Sequence, residues 1–274
     1  YKKPMNNPKS KKFTLFKKCM GEDSNGDDDE GLTDYIIGRD KMPLQKTRYG
    51  ILPAQLSKLF ASKCETGYMP EGHTCFLRRG VTNDDKQSFL QAISSVVESN
   101  KVPISKTILK EFLLDKKLTP RIYNSLKQGE LKILFNNPNT QVESIENFKN
   151  YIKSDELVNE EYLWDFLSRP NVLDIDGYNI FILTSRSVLC PYGENVKEFY
   201  DLKKKTIFIF TDGKYYEPLY KVNNFKGELI PKKIFTAIDP EVIKIYNMIL
   251  SNCMSKEMIS WKKIRKDNLP PSKY

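Results

Sequence analysis

The chain has 274 residues, 39% hydrophobic and 29% charged, with a formal net charge of +9. That length holds one large core or two small ones, and no run reaches the roughly 18 apolar residues a membrane helix needs, which excludes a helical channel or carrier and leaves no membrane partner to expect. Five cysteines, odd in number, scattered and without a C-x-x-C pair, speak against a disulfide scaffold and for reduced thiols in a cytoplasmic setting.

The first 20 residues carry Lys2, Lys3, Lys9, Lys11, Lys12, Lys17 and Lys18 and no acid. The run "EDSNGDDDE" follows at once. Residues 1 to 46 lack helical or strand periodicity and are expected to be a charged arm, disordered or draped over a partner. Within it, "DSNGDDDEGLTD" alternates Asp23, Asn25 and Asp27 like a calcium loop. However, Asp28 stands where the turn needs Gly and Asp34 where Glu belongs, so it reads as a linker. The chain opens on Tyr1 rather than Met, as a piece of a longer polypeptide would.

An α+β domain is expected from residue 47 to 255. Pro53 opens a helix through Leu56, Leu59 and Phe60. A glycine-punctuated loop follows, "CETGYMPEGHTCFLRRGVTNDDK", and then a helix whose residues Phe89, Leu90, Ile93, Val96 and Val97 share one face. Ser105 and Thr119 cap two further helices, Pro120 sits in the first turn of the second, and Gly129 ends it. "SIENFKNYIKS" and "NEEYLWDFLSRP" are amphipathic helices. After Pro170 the period changes: "YNIFILT" and "TIFIFTDG" read as adjacent strands, with Asp212-Gly213 turning the second into "KYYEPLYKV". A last helix starts at Asp239 and Pro240. Residues 256 to 274 form a basic tail, in which Trp261 stands beside Lys262, Lys263, Arg265 and Lys266. Lysine-rich arms can neutralise phosphates and bind nucleic acid in a salt-sensitive, sequence-independent way. A solvated tail, or a C-terminal helix docking Trp261 and Ile264 on the core, is the plainer alternative.

The stretch "DDKQSFLQAISSVV", Asp84 to Val97, places a hydroxyl at the start of a helix. There the helix dipole and free backbone N–H groups can hold an oxyanion, and a later strand would have to supply a base. The order of elements resembles the OTU family of papain-like cysteine proteases, which remove ubiquitin. Their nucleophile motif reads roughly Asp-Gly-Asn-Cys-Leu-Phe-Arg-Ala-Ile, against "DDKQSFLQAI" here, and a later hairpin strand bears His-Tyr-Asp or His-Tyr-Asn, against "GKYYEP" here. The resemblance runs over about residues 80 to 222. It implies an OTU-like (papain-like) fold, helices packed on a small mixed β-sheet. Ser88 then stands in the cysteine place, Tyr215 in the histidine place and Glu217 in the third.

These departures are costly. A tyrosine with a pKa near 10 is ionised in about one molecule per thousand at pH 7 and makes a poor base for serine. The single histidine, His73, lies upstream on the glycine-punctuated loop. Cys75, behind Glu71-Gly72, is a rival nucleophile, but Gly80 interrupts the helix the motif needs. Cys64, His73 and Cys75 are too few and wrongly spaced for zinc, so neither metal nor cofactor is expected. The reading is a degenerate hydrolase without catalysis, in which Ser88 merely caps the helix. An active deubiquitinase using Cys75 with His73 is the alternative.

Two wider stretches, "RYGILPAQLSKLF" with "CFLRRGV....SFLQAI", and "YNIFIL...VLCPYG...IFIFTDGKYYEPLY", resemble the large subunit of the early transcription factor of nucleocytoplasmic large DNA viruses. The Lys-, Asn- and Ile-rich composition suits an AT-rich genome. This resemblance implies a virion-packaged factor acting in host cytoplasm, with DNA and a viral RNA polymerase or other virion proteins as partners. A structural virion protein that uses the fold only to bind other proteins is a further alternative.

Overall fold

The computed structural model describes residues 34–254 apart from 83, 100, 101, 104, 140, 159 and 192–198. The charged arm up to residue 33 and the tail from 255 onward lie outside the described residues.

The sheet is mixed. Strands β2 (Tyr49–Ile51), β4 (Thr74–Arg79), β9 (Tyr216–Phe225), β8 (Lys205–Thr211) and β7 (Tyr178–Leu183) lie side by side in that order, and β10 (Glu228–Lys232) also pairs with β9, while β5 (Glu98–Ser99) and β6 (Val102–Pro103) form a separate two-stranded sheet. Only β7 and β8 run parallel; β2–β4, β4–β9, β8–β9 and β9–β10 are antiparallel. Strands β7 and β8 are nearly continuous apolar or aromatic runs because both faces are covered, and β9 is buried through its first five residues before it alternates.

One face carries α2 (Ser88–Val96), which buries Phe89, Leu90, Ile93 and Val96 and sets Ser95 against the Tyr220 hydroxyl of β9 at 3.1 Å. Over the other face lies α1 (Ala54–Leu59), followed by Phe60, whose ring meets Phe76 of β4 at 4.4 Å and Phe208 of β8 at 5.4 Å. The last helix, α8 (Pro240–Met254), reaches that face through Glu241, which pairs with Lys221 of β9. Between α2 and β7 in the chain, α3 (Lys106–Phe112), a π-helical turn (Leu113–Lys117), α4 (Pro120–Ser125), α5 (Glu130–Leu134), α6 (Ser144–Lys153) and α7 (Glu160–Ser168) form a helical layer. Its centre is aromatic: Phe135 lies 5.0 Å from Phe148 and 5.5 Å from Tyr162. Trp164 of α7 docks this layer on the sheet by donating to the Ile180 carbonyl at 3.0 Å.

Ser105 and Thr119 accept the N–H groups of Ile108 and Ile122, as N-caps should. The helix that starts at Pro120 nevertheless stops at Ser125, before Gly129. Lys127, Gln128 and Gly129 all have positive φ, and the Asp165 carboxylate of α7 takes the Lys127 N–H at 2.9 Å while gripped by Arg169. A tertiary anchor overrides the local signal here. Asp239 likewise turns its carboxylate back, to the Thr236 N–H at 2.9 Å and to Lys232.

Three expectations need correction. Residues 34–46 belong to the body: β1 (Tyr35–Ile36) pairs with β3 (Gly67–Tyr68), and Ile36 and Leu44 are fully buried. Their apolar runs are too short to show a period and are held by distant partners. Second, "TCFLRR" is the strand β4, with Cys75, Phe76, Leu77 and Arg78 all buried. Gly80 follows it, at a position where a Cβ would lie 2.0 Å from the Gln45 carbonyl oxygen. Third, four of the five cysteines pair, as Cys64–Cys75 and Cys190–Cys253. The sheet and α8 bring together residues whose sequence spacing held no such hint. The strand β10, joined to β9 by Lys226-Gly227 at positive φ, gave no signal in the sequence reading.

Candidate functional site

Two tight turns meet at Ser88. On one side, Asp84 folds its carboxylate onto the Lys86 N–H at 3.0 Å, which brings the chain into α2 with Gln87 as the last non-helical residue. On the other, the Asp212 carboxylate accepts the N–H groups of Lys214 and Tyr215 at 2.9 and 2.8 Å, and Gly213 takes the positive φ of the turn. The hairpin forms where Asp212-Gly213 places it.

Ser88 is the first helical residue and only 1% exposed. Its hydroxyl donates to the Asp85 carbonyl and accepts the Tyr216 N–H, both at 3.2 Å. It does not cap α2; Gln87 precedes the helix, and its carbonyl takes the Gln91 N–H at 3.1 Å. The ring of Tyr216 stands edge-on to Phe89 at 5.2 Å, and its hydroxyl donates to the buried Glu160 carboxylate. Tyr215 is half-buried beside the Lys214 ammonium, 5.2 Å from its ring. As the strand period demands, one tyrosine faces the core and the other turns outward.

Lys214, at the hairpin turn, pairs with Asp85, at the turn before α2, at 3.2 Å. The hydrogen bond from Lys214 holds the Asp85 carboxyl below the usual carboxylate range, and the same bond holds the Lys214 amine above the usual lysine range. Both groups stay charged at neutral pH. The Lys214 ammonium has no lone pair to accept a proton, and the Asp85 carboxylate is engaged by Lys214 while the serine hydroxyl donates to the Asp85 backbone carbonyl instead.

Glu217 takes no part in this edge of the site. Its side chain points to the opposite face of the sheet, where it is 2% exposed and paired with Arg78 at 2.8 Å. Its second oxygen accepts the Leu44 N–H at 2.6 Å. Burial pushes its carboxyl above the usual range, with Arg78 and the Leu44 N–H pulling the other way. Arg78 is itself saturated: Nε donates to the Ile51 carbonyl, Nη1 to Glu217 and the Met42 sulfur, and Nη2 to the carbonyls of Arg39 and Lys41. The sequence reading missed Arg78. A lone arginine in a strand carries no local mark of such a role.

His73 and Cys75 do not join Ser88. The His73 carbonyl accepts the Asn224 N–H at 3.0 Å, near the end of the ten-residue β9 remote from Tyr216. At about 3.3 Å per residue, that is some 25 Å along the strand from Tyr216, the residue bonded to Ser88. Cys75 has no free thiol, its sulfur being bonded to Cys64. Among the described residues no group of three His, Cys, Asp or Glu side chains could hold a metal ion, and no helix is long and apolar enough to cross a membrane. Lys2, Lys3, Lys9, Lys11, Lys12, Lys17, Lys18, Lys262, Lys263, Arg265 and Lys266 lie outside the described residues.

No protein-family model matches the chain. A curated relative, an uncharacterized protein of Acanthamoeba polyphaga mimivirus, is 22% identical over 293 aligned positions, which cover 94% of this chain and 18% of that protein. The chain thus spans less than a fifth of its relative, and it is similar to a giant-virus protein. Among solved structures it is similar to one described as an ovarian tumor (OTU) domain in complex with ubiquitin, at 15% identity and a TM-score of 0.37, over 65% of this chain and 85% of that one.

Proposed function

We propose that this chain is a non-catalytic, OTU-like module of a large DNA virus protein, one that binds nucleic acid, the viral transcription apparatus or both instead of hydrolysing a ubiquitin linkage. The observation that carries the non-catalytic part is the state of the Ser88 hydroxyl. Two backbone groups occupy it, and the chain's single imidazole sits at the far end of β9. An oxygen nucleophile needs a base within hydrogen-bond reach. The nearby Asp85 and Lys214 are both tied up as charged groups.

The OTU-like part rests on the resemblance between "DDKQSFLQAI" and "GKYYEP" and that family's two motifs. The geometry agrees with it: helix tip and hairpin strand, far apart in sequence, touch at Ser88 and Tyr216. The viral part is supported by the mimivirus relative, and nucleic-acid binding by the basic arms at both ends. The two disulfides favour a particle or an oxidising compartment over the reducing cytoplasm as the place where the module persists.

Two measurements test this reading. A ubiquitin-based suicide probe should leave the natural chain unlabelled, oxidised or reduced. Labelling of Cys75 after reduction would establish the deubiquitinase alternative. Affinity for duplex DNA should fall steeply with salt and drop when the seven lysines of residues 2–18 are neutralised. Salt-independent binding, or none, would refute the nucleic-acid role.

A further inference from the structure

A cleft of about 340 Å³ opens between α1, the turn that follows β7, and α8. It is remote from the chemistry of Ser88: none of the residues at the two turns that meet there lines it. Leu56, Leu59 and Met248 provide apolar surface, Lys58 and Arg186 provide two cations, and no acidic side chain lines it. Among the described residues, neither Lys58 nor Arg186 is in an ion pair. Both charges are therefore available to a ligand.

The walls are fixed by bonds that do not depend on a ligand. The Lys244 ammonium of α8 donates to the Leu59 carbonyl at the end of α1, at 2.6 Å. The Cys190–Cys253 disulfide joins the segment after β7 to the last turn of α8. The turn that carries Arg186 is closed on itself: the Thr184 hydroxyl accepts the N–H groups of Arg186 and Ser187 at 3.3 and 3.0 Å, and the Thr184 N–H donates to the Ser187 carbonyl at 2.8 Å. A preformed concavity with an apolar wall and a few convergent polar groups is the usual form of a small-ligand site. Rigid walls also lower the ordering cost of binding.

We infer that this cleft takes a nucleotide-sized ligand bearing a phosphate monoester, with the phosphate between Lys58 and Arg186 and the ring system against Leu59 and Met248. Arg186 matches two phosphate oxygens with its planar fork, while Lys58 adds a point charge. The volume lies near the lower end of the range for small-molecule sites, the scale of one nucleotide. The same chemistry could come from a free mononucleotide or from the 5′-phosphate end of a strand. This site is independent of the basic arms, so it stands or falls apart from the function proposed above.

The test uses the full chain and calorimetric titration with adenosine monophosphate, adenosine and inorganic phosphate at low salt. Adenosine monophosphate should bind, phosphate should compete with it, and adenosine should bind at least about tenfold more weakly, as expected when charge-assisted hydrogen bonds are lost. Arg186→Glu and Lys58→Glu should each weaken the nucleotide about tenfold or more; both side chains are exposed, so an unchanged thermal midpoint confirms the fold. A 5′-phosphorylated oligonucleotide that outcompetes its unphosphorylated twin, and loses the advantage in Arg186→Glu, would identify the strand end as the source. No binding at millimolar nucleotide, or binding indifferent to both substitutions, overturns the inference.

Discussion

The N–H of Tyr216 and the hydroxyl of Ser88 meet at 3.2 Å across 128 residues of sequence, and the bond is buried. The hydroxyl that would attack a substrate in an OTU-like enzyme instead fastens the hairpin strand to the tip of α2. Replacing it therefore has a structural consequence. Ser88→Ala removes the side-chain acceptor of the Tyr216 N–H and should cost about 1–3 kcal/mol in urea denaturation. A substitution without effect on stability would show that the hydroxyl is free.

Glu217 makes a stronger prediction. Removing one member of a buried ion pair strands the other charge, so Glu217→Leu should destabilise the fold by about 3–5 kcal/mol. The double variant Arg78→Met, Glu217→Leu should recover part of that loss, though the carbonyls of Ile51, Arg39 and Lys41 would still lack their donor. If the double variant is as unstable as the sum of the singles, the two charges do not interact.

The disulfides can be checked without mutation. Alkylation under non-reducing conditions, read by mass spectrometry, should modify one cysteine in five, Cys19, which is the one outside the two pairs. Alkylation of all five would refute both bonds. Cys190 and Cys253 are 63 residues apart and Cys64 and Cys75 are 11 apart. On chain-entropy grounds, losing the first should cost about 4 kcal/mol and losing the second about 3 kcal/mol.

Asp239 governs a pH dependence. Partial burial pushes its carboxyl up, but the Lys232 ammonium and the Thr236 N–H outweigh this and hold it below the usual range, with Lys221 adding to the pull. A carboxyl with a depressed folded pKa gives stability that is present above the unfolded value, about pH 4, and lost as pH falls through the folded value. Asp239→Asn should thus lower stability by about 1 kcal/mol at pH 7. The gap from the natural chain should close on acidification; a gap that persists at pH 2 would remove the ionic cause.

Gly80 is a packing requirement. A Cβ there meets the carbonyl oxygens of Gln45 at 2.0 Å and Leu44 at 2.7 Å, backbone atoms that cannot rotate away. Gly80→Ala should cost about 3 kcal/mol or more, seen as a lower thermal midpoint.

What could be read in the sequence follows from how far each signal acts. Helix α2, the strands "YNIFIL" and "TIFIF", and the Asp212-Gly213 turn announce themselves within a few residues, by periodicity or by turn chemistry. So do the caps Ser105 and Thr119. By contrast, β4 looked like loop because its neighbours are glycines and its buried Arg78 is polar, and only a glutamate 139 residues away makes that burial tolerable. The segment 34–46 and both disulfides were hidden for the same reason: their partners are remote. At the site, Ser88 and the hairpin were legible. The inward turn of Glu217 to the opposite face was a matter of strand parity that the motif comparison passed over.

The ion pair also bears on the order in which the chain can fold. Arg78 gathers the carbonyls of residues 39, 41 and 51, and Glu217 holds the N–H of Leu44. None of this is secure until β9 has been made and docked, since closing so long a loop precedes any reward from the contact. Before that moment Arg78 is an unpaired charge in a half-built sheet. A nascent chain stopped short of residue 217 would therefore fail at its opposite end, around residues 39–44, and protease cleavage there should report on whether synthesis has passed β9.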